Sequence, residues 1–254
     1  MTRPVEVVDF HTHAGSLGRT QVCGTPEAMV LNMDLSDIGR ACVNCIWFGD
    51  ARRGNDLMHR FVAEYPDRII PVAFVTPHYP EESISELERC FGTLGMKYLK
   101  IYPDFFFKPQ DDEAYFPIYE WVNERGLPVM SHATYPFDSP EVSIPERYEA
   151  LSKRFSNIKW VIAHAAGSTN PGACEAARSL PAVYLETCDS GTPHGAIEYS
   201  VKHAGADRVL FGTDSPIMDG RHHIAKVVTA DISEEDKIKI LGLNAIELLG
   251  LDES

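Results

Sequence analysis

Two histidines stand one residue apart at the end of an apolar run near the start of the sequence, "VEVVDFHTH". On a β-strand, residues i and i+2 point to the same face, so His11 and His13 should project together from the strand's carboxyl end. Two neutral imidazoles on one face are a common start of a transition-metal site. An H-x-H pair alone is a weak signal, because most such pairs are ordinary surface or core histidines. The rest of the chain must therefore supply further ligands.

Other polar side chains stand at the ends of later apolar runs. Lys100 and Tyr102 share one face in "MKYLKIY", His132 ends "PVMSHA", His164 stands near the end of "KWVIAHA", and Asp214 ends "RVLFGTD". In an α/β barrel the chemistry sits at the carboxyl ends of the strands. If these runs are barrel strands, the side chains converge on the mouth, within reach of a single ion.

This set of side chains suits a catalytic metal site. Zinc accepts imidazole nitrogen and carboxylate oxygen and needs an open position for water in catalysis. His11, His13, His132 and Asp214 could hold the ion and leave that position free. Bound water would then have a pKa of about 7. We assign proton transfer to His164, with Asp214 as the second candidate, because a carboxylate beside bound water can also accept its proton.

The elements that must position these residues follow a regular alternation. Short apolar runs, mostly rich in Val, Ile or aromatic residues, are typical of strands buried on both faces. They lie at 5–11, 41–48, 68–75, 96–102, 128–133, 159–165, 182–188 and 208–214. Eight strand–helix units in one chain of this length favour an α/β fold with a single (β/α)8 TIM barrel over residues 1–254. An open sheet is the alternative, and no G-x-G-x-x-G follows the first run.

Helix-start and helix-stop signals separate the runs. The segment from Thr25 to Gly39 predicts a helix with Thr25 as N-cap, Pro26 in the first turn and Gly39 at the stop. Near the carboxyl end, Ser233 followed by Asp236 is a capping pattern for another helix.

Composition narrows the classes of protein and partner. The 254 residues are 44% hydrophobic, and 23 Lys plus Arg against 37 Asp plus Glu give a formal charge of -14. Such a surface repels phosphate backbones and anionic membranes, so we expect no nucleic-acid or membrane partner. The first residues lack the features of a secretory signal, and no stretch is apolar enough to span a bilayer, so we expect a cytoplasmic protein.

The strand-end residues also carry a family resemblance. "DFHTH", "MSHA", "IAHAAG" and "LFGTDSP", at the first, fifth, sixth and eighth runs, resemble the amidohydrolase superfamily pattern. The chain looks most like its amidohydrolase-related branch, which includes aminocarboxymuconate-semialdehyde decarboxylase and related metal-dependent hydrolases. The resemblance implies one divalent metal, usually zinc, on His11, His13, His132 and Asp214. It also implies water activation or substrate polarisation by His164.

Lys100 can be interpreted in two ways. In dinuclear amidohydrolases a lysine on the fourth strand is carboxylated and bridges two metals. The alternative, which we favour, is a single metal with Lys100 set back to meet an anionic part of the substrate, beside Tyr102.

Two reaction classes fit these residues, with a small molecule as the partner in each. We favour hydrolysis of an amide, lactone or other ester, because the loop after the first strand is short and no arginine is clearly placed to hold a carboxylate. The alternative is a non-oxidative decarboxylase or hydratase of an unsaturated or aromatic acid. A metal-binding protein without catalysis is disfavoured, since a closed structural site would not leave a position open. The aromatic run "DFFF" at 104–107 is either a pocket wall or an interface of a homo-oligomer.

Overall fold

The computed structural model describes residues 6–17, 22–133, 144–189 and 193–252. Strands and helices alternate along the chain. The strands are β1 (Val8–His13), β2 (Gly15–Leu17), β3 (Val22–Gly24), β4 (Arg40–Asn44), β5 (Ile69–Pro71), β6 (Ala73–Phe74), β7 (Leu99–Ile101), β8 (Pro128–Ser131), β9 (Lys159–Ile162), β10 (Val183–Glu186) and β11 (Val209–Leu210). The helices are α1 (Pro26–Ser36), α2 (Ala51–Glu64), α3 (Pro80–Gly92), α4 (Pro103–Phe106), α5 (Phe116–Arg125), α6 (Ile144–Arg154), α7 (Pro171–Ser179), α8 (Ala196–Ala204), α9 (Gly220–Val228), α10 (Glu234–Ile238) and α11 (Asn244–Leu249).

The parallel strands form two ladders, β1-β4-β5 and β6-β7-β8-β9-β10-β11. Backbone hydrogen bonds join the ladders on both sides. Between β5 and β6, the Val72 amide donates to the Val43 carbonyl at 3.0 Å. On the other side, the Phe10 amide donates to Phe211 at 2.8 Å, and Thr12 forms a parallel bridge with Ser215. With β5 and β6 as two pieces of one strand, the chain is the predicted eight-stranded (β/α)8 barrel.

Two apolar layers stabilise the barrel. One fills its interior, where the rings of Phe10 and Tyr98 stack with centroids 4.6 Å apart. The larger one lies between the strands and the surrounding helices and includes fully buried Trp160. Side chains alternate across each strand, so successive residues contribute to the two layers in turn. Both layers leave the carboxyl ends of the strands to polar residues.

The predicted helix caps are confirmed, with one shift. The Thr25 hydroxyl accepts from the Ala28 amide, and the Ser233 hydroxyl accepts from the Asp236 amide. The first helix, however, ends before Gly39, because Asp37 takes the left-handed conformation (φ 63°) and closes the last turn. A short antiparallel hairpin, β2 with β3, follows the first strand where only a loop was predicted, and residues 18–21 between them lie outside the described part.

Candidate metal centre and active site

Polar residues from six strands meet at one end of the barrel. His11 and His13 lie at the end of β1, and Lys100 lies in β7. His132, His164 and Asp214 directly follow β8, β9 and β11 or lie within a few residues of them, and Glu186 ends β10. The structure therefore brings every predicted site residue to the carboxyl end of the barrel. It adds one carboxylate, Glu186, that the sequence analysis did not single out.

His11, His13 and Asp214 form the most compact donor group on the open side. A carboxylate oxygen of Asp214 lies 2.8 Å from His13 Nε2 and 3.5 Å from His11 Nε2. One ligand atom from each of the three residues lies within 4.8 Å of the other two. Ligands that share one ion at about 2.0–2.2 Å must themselves lie only a few ångströms apart. The three residues thus fit a divalent ion.

Hydrogen-bond chemistry gives an independent test of that fit. His13 Nδ1 lies 2.7 Å from Asn44 Oδ1, and the Asn44 amide nitrogen donates to the Thr12 carbonyl at 3.1 Å. The orientation of the amide therefore makes His13 Nδ1 the donor and leaves Nε2 with a lone pair in the neutral ring. That lone pair faces an oxygen of Asp214, which can also only donate electrons. Two electron-pair donors that face each other repel, and a cation bound between them removes that repulsion.

Charge in the cluster keeps Asp214 ionised. Burial alone would raise the pKa of the Asp214 carboxyl, but the close approach of His13 and of His11 lowers it far below its ordinary value. Burial also lowers the pKa of His11, and the neighbouring Lys100 lowers it further, so that ring is neutral. A neutral imidazole and an ionised carboxylate are the forms that bind metal.

Lys100 lies inside the cluster rather than set back from it. Its Nζ is 3.0 Å from His11 Nε2, and the side chain is fully buried. Burial lowers the pKa of Lys100 to about 8, although Asp214, Cys188 and Glu186 favour its charged form. The distance differs from the sequence expectation because β7 carries the side chain directly across the barrel mouth toward β1. Whether Lys100 binds substrate stays a prediction.

His132 and His164 form a second pair beside the first group. His164 Nε2 lies 3.0 Å from His132 Nδ1, and His132 Nε2 lies 3.2 Å from a carboxylate oxygen of Asp104. Both ring nitrogens of His132 therefore face protein groups, and His132 does not join the compact group around Asp214 among the residues described. Its role as a ligand stays a prediction.

His164 sits in a strained backbone position. It takes a left-handed conformation with φ 65°, which is uncommon for a residue other than glycine. Burial, together with the neighbouring His132, lowers the pKa of its ring to about 4. The ring is therefore neutral at neutral pH and able to accept a proton. Residues held in such conformations cluster at active sites, where the surroundings stabilise them.

Aromatic rings flank the polar cluster. Tyr102 stacks between His132 and Phe105, with centroids 3.9 Å and 4.1 Å from its own. On another side, the ring of Trp47 lies 5.4 Å from that of His13. Phe106, from the "DFFF" run, packs against Phe74 at 6.1 Å, whereas Phe107 of the same run is exposed. Planar rings around polar groups suit a planar ligand.

Cys188, two residues after the end of β10, lies close to two of the site histidines. Its Sγ lies 3.0 Å from His164 Nδ1 and 3.2 Å from His11 Nδ1. Burial and the adjacent Glu186 raise the pKa of the thiol well above its ordinary value, which keeps it protonated. His11, His164, Glu186 and Cys188 form a second compact donor group, on the side of the two imidazole rings where Glu186 lies. A charged residue inside the apolar run "AVYLETC" was the sequence signal for this group.

A family model described as amidohydrolase matches residues 8–251. The chain belongs to the amidohydrolase family. This confirms the resemblance carried by the strand-end histidines and the last aspartate. The matched residues include the strands and helices of the barrel described above.

Relatives of this chain with stated activities include a hydratase and a decarboxylase. The 2-keto-4-carboxy-3-hexenedioate hydratase of a Sphingobium species is 33% identical over 93 residues, which is 33% of this chain and 27% of that protein. The 2-amino-3-carboxymuconate-6-semialdehyde decarboxylase of Dictyostelium discoideum is 27% identical over 238 residues, which is 78% of this chain and 66% of that protein. The chain therefore spans slightly less than two thirds of this relative's length.

Solved structures show the same fold. A 2,6-dihydroxybenzoate decarboxylase complexed with 2,6-dihydroxybenzoate superposes with a TM-score of 0.79 at 19% identity, covering 97% of this chain and 100% of that one. A dihydroxybenzoic acid decarboxylase from a Polaromonas species, with bound manganese and 2-nitroresorcinol, gives 0.77 at 20% identity, covering 97% of each chain.

The preference for hydrolysis over decarboxylation is therefore wrong. A short loop after the first strand and the lack of a clearly placed arginine do not set the reaction class. The curated relative matched over most of the chain and the two solved structures named above are decarboxylases. In the described part of the chain, no helix is long and apolar enough to cross a membrane.

Proposed function

We propose that this member of the amidohydrolase family is a metal-dependent, non-oxidative decarboxylase of a planar aromatic or unsaturated carboxylic acid. The observation that carries the proposal is the similarity to a carboxymuconate-semialdehyde decarboxylase over 78% of the chain. The donor groups at the barrel mouth supply the metal site that such a reaction needs. The fold is also that of a decarboxylase whose structure holds a dihydroxybenzoate.

The accessible side of the cluster indicates where the substrate binds. Glu186 and His11 are completely buried, whereas the side chains of His132, Asp214 and Asp104 are 11%, 14% and 21% exposed. A ligand entering the mouth would therefore meet Asp214, His132 and Asp104 first. Tyr102, whose ring faces are covered by His132 and Phe105, borders the same space and would contact the substrate through its ring edge or hydroxyl group.

Charge favours a carboxylate at this place. A divalent ion, when bound, attracts the anionic substrate and stabilises negative charge that develops as the bond breaks. Lys100 adds a second positive charge in the wall, since its pKa of about 8 leaves it largely protonated at neutral pH. We retain Lys100 and Tyr102 as substrate-binding residues on these grounds.

The reaction exchanges a carboxylate for a hydrogen. The bond between the carboxylate carbon and the unsaturated carbon breaks, carbon dioxide leaves, and the electron pair forms a new C–H bond with one proton. We assign delivery of that proton to His164 through its ring nitrogens. An incoming anionic substrate favours the protonated ring, which offsets the lowered pKa of His164. Asp214, ionised and paired with His13, serves as a metal ligand more readily than as an acid.

The identity of the metal is part of the proposal. Zinc was expected from the resemblance, while a similar fold carries manganese. Imidazole and carboxylate ligands accept both ions, so geometry and availability decide between them. We propose one divalent ion held by His11, His13, His132 and Asp214, with His132 turning from its contact with Asp104.

A substrate screen tests the proposal. Purified protein loaded with Mn²⁺ or Zn²⁺ is incubated with hydroxybenzoates and muconate-type acids, and with lactones and amides for comparison. We expect release of carbon dioxide from at least one acid, lost in His13→Ala. Turnover confined to lactones or amides would contradict it, as would addition of water to an acid with its carboxylate retained.

A further inference from the structure

Glu186 lies behind the proposed metal site and contacts three other parts of the barrel mouth. Its Oε2 is 3.0 Å from His11 Nδ1 and 3.2 Å from the backbone nitrogen of His164. Its Oε1 accepts from the Cys188 amide at 2.5 Å. The side chain is completely buried. One carboxylate thus connects β1, the segment after β9 and the segment after β10.

The contact with His11 determines which nitrogen faces the metal site. An ionised carboxylate only accepts hydrogen bonds, so the proton of the neutral His11 ring resides on Nδ1. The lone pair is then on Nε2, the nitrogen that lies 3.5 Å from Asp214. A carboxylate behind a ligating histidine fixes its tautomer and orientation and makes it a stronger ligand.

The contact with His164 stabilises an unfavourable backbone. A left-handed conformation is unfavourable for a residue other than glycine unless its surroundings compensate. The amide of His164 donates to Glu186, while its ring Nδ1 is 3.2 Å from the Cys188 carbonyl. Because the Cys188 amide is bonded to the same carboxylate, Glu186 constrains the backbone of His164 directly and its ring Nδ1 through the Cys188 segment.

The lack of a side chain at Gly212 leaves room for the Glu186 carboxylate. A Cβ at Gly212 would collide with Glu186 Oε1, so only glycine fits opposite it. The charge is also compensated, since two backbone amides, the His11 ring and the Cys188 thiol surround it. A buried charge is tolerated only with such partners.

We propose that Glu186 is a positioning residue that orients His11 toward the metal and His164 toward the substrate at once. His13 has a different partner, the neutral amide of Asn44, 2.7 Å from its Nδ1. His11 is thus the ligand supported by a negative charge. The inference rests on the proposed metal site but not on decarboxylation, because metal affinity is measured without substrate.

The alternative is that the ion binds on the inner side of the rings. Glu186, Cys188, His11 Nδ1 and His164 also form a compact donor group. In that case Glu186 would be a ligand, and His11 would bind through Nδ1. The two arrangements differ in the nitrogen of His11 that carries the proton.

The first experiment compares Glu186→Gln with Glu86→Gln. Glu86 is also a buried carboxylate with hydrogen bonds, to Asn55 and Arg89, but lies on α3. Titration of metal-free protein with Mn²⁺ should show binding weakened about 10- to 100-fold in Glu186→Gln. Glu86→Gln should bind as wild type, even if its melting temperature falls. Wild-type affinity in Glu186→Gln would overturn the inference.

The second experiment needs no variant of Glu186 and remains decisive if Glu186→Gln fails to fold. Wild-type protein labelled with ¹⁵N-histidine and loaded with Zn²⁺ is examined by long-range ¹H–¹⁵N NMR, with His11 assigned by His11→Asn. We expect His11 to carry its proton on Nδ1 and to bind zinc through Nε2. Zinc on Nδ1 would place Glu186 among the ligands and refute its role as a positioning residue. Loss of decarboxylation alone would affect neither result.

Discussion

The ammonium of Lys100 lies 3.0 Å from His11 Nε2, the nitrogen that also faces Asp214. A cation on Nε2 and an ammonium in the same place repel each other, so metal binding must displace Lys100 or neutralise it. The proposed site has one ion, and displacement of Lys100 toward the substrate side is the simpler outcome. The contact between Lys100 and His11 therefore links the number of bound metal ions to whether Lys100 is charged, neutral or carboxylated.

Metal analysis of the native protein should give close to one equivalent per chain, unchanged by added bicarbonate. The reason is that an unmodified lysine cannot bridge two ions. Native mass spectrometry should show no carbon dioxide adduct on Lys100. Two equivalents together with such an adduct would establish a dinuclear site and make His164 a ligand.

His13→Ala should lower metal content sharply while the protein stays folded. His13 contributes a donor to the group around Asp214, but the apolar layers of the barrel do not depend on it. His59→Ala is the matched control, because His59 is an exposed histidine on α2. Metal content by atomic spectroscopy should be low only in His13→Ala, with circular dichroism alike in both. Full occupancy in His13→Ala would remove this ligand from the site.

His164→Asn should retain the metal and lose roughly 10²-fold or more in turnover, the usual scale for a lost acid or base. Asparagine tolerates the left-handed backbone at this position (φ 65°), so the variant removes the imidazole without forcing the chain to refold. Turnover of an acid identified in the screen, measured beside metal content, checks it. A variant with near wild-type turnover would refute proton delivery by His164.

His223 should make the protein sensitive to acid. It is 1% exposed on α9, and neither ring nitrogen has a hydrogen-bond partner within the described part of the chain. Burial and, to a smaller extent, Lys226 lower its pKa to about 4 from 6.5. Below pH 6.5 the unfolded state therefore takes up a proton that the folded state resists, and stability falls between pH 6.5 and about 4.

His223→Leu should flatten that pH dependence and raise the free energy of unfolding at neutral pH by about 1–3 kcal/mol, since a buried unpaired polar group is removed. Urea titrations at pH 7 and pH 5 give both values, with His59→Leu as control. Equal acid sensitivity in His223→Leu and wild type would show that other groups cause the loss.

Strand periodicity and the position of polar residues at strand ends predicted the barrel and the side chains that meet at its mouth. His11 and His13 follow from residue spacing, and Asp214 follows from its place after the last apolar run. The break at Val72 between β5 and β6 was not predictable from the sequence, and neither was the irregular pairing of β1 between Asp9 and Thr12. Both depend on how the barrel closes.

Contacts across the barrel mouth were beyond the sequence. Glu186 and Cys188 stand in an apolar run, so their meeting with His11 depends on the packing of β10 against distant strands. The approach of Lys100 to His11 depends on the barrel radius. The reaction class was also hidden, because the same imidazole and carboxylate ligands serve hydrolysis and decarboxylation.

The most direct test of the central claim follows the fate of the carboxylate and of the proton. An acid turned over in the screen is prepared with ¹³C in its carboxylate and incubated with metal-loaded enzyme in D₂O. We predict one equivalent of ¹³C-labelled carbon dioxide for each product, with a single deuterium at the carbon that lost the carboxylate. A product that retains the ¹³C carboxylate and gains the elements of water would contradict the assignment as a decarboxylase.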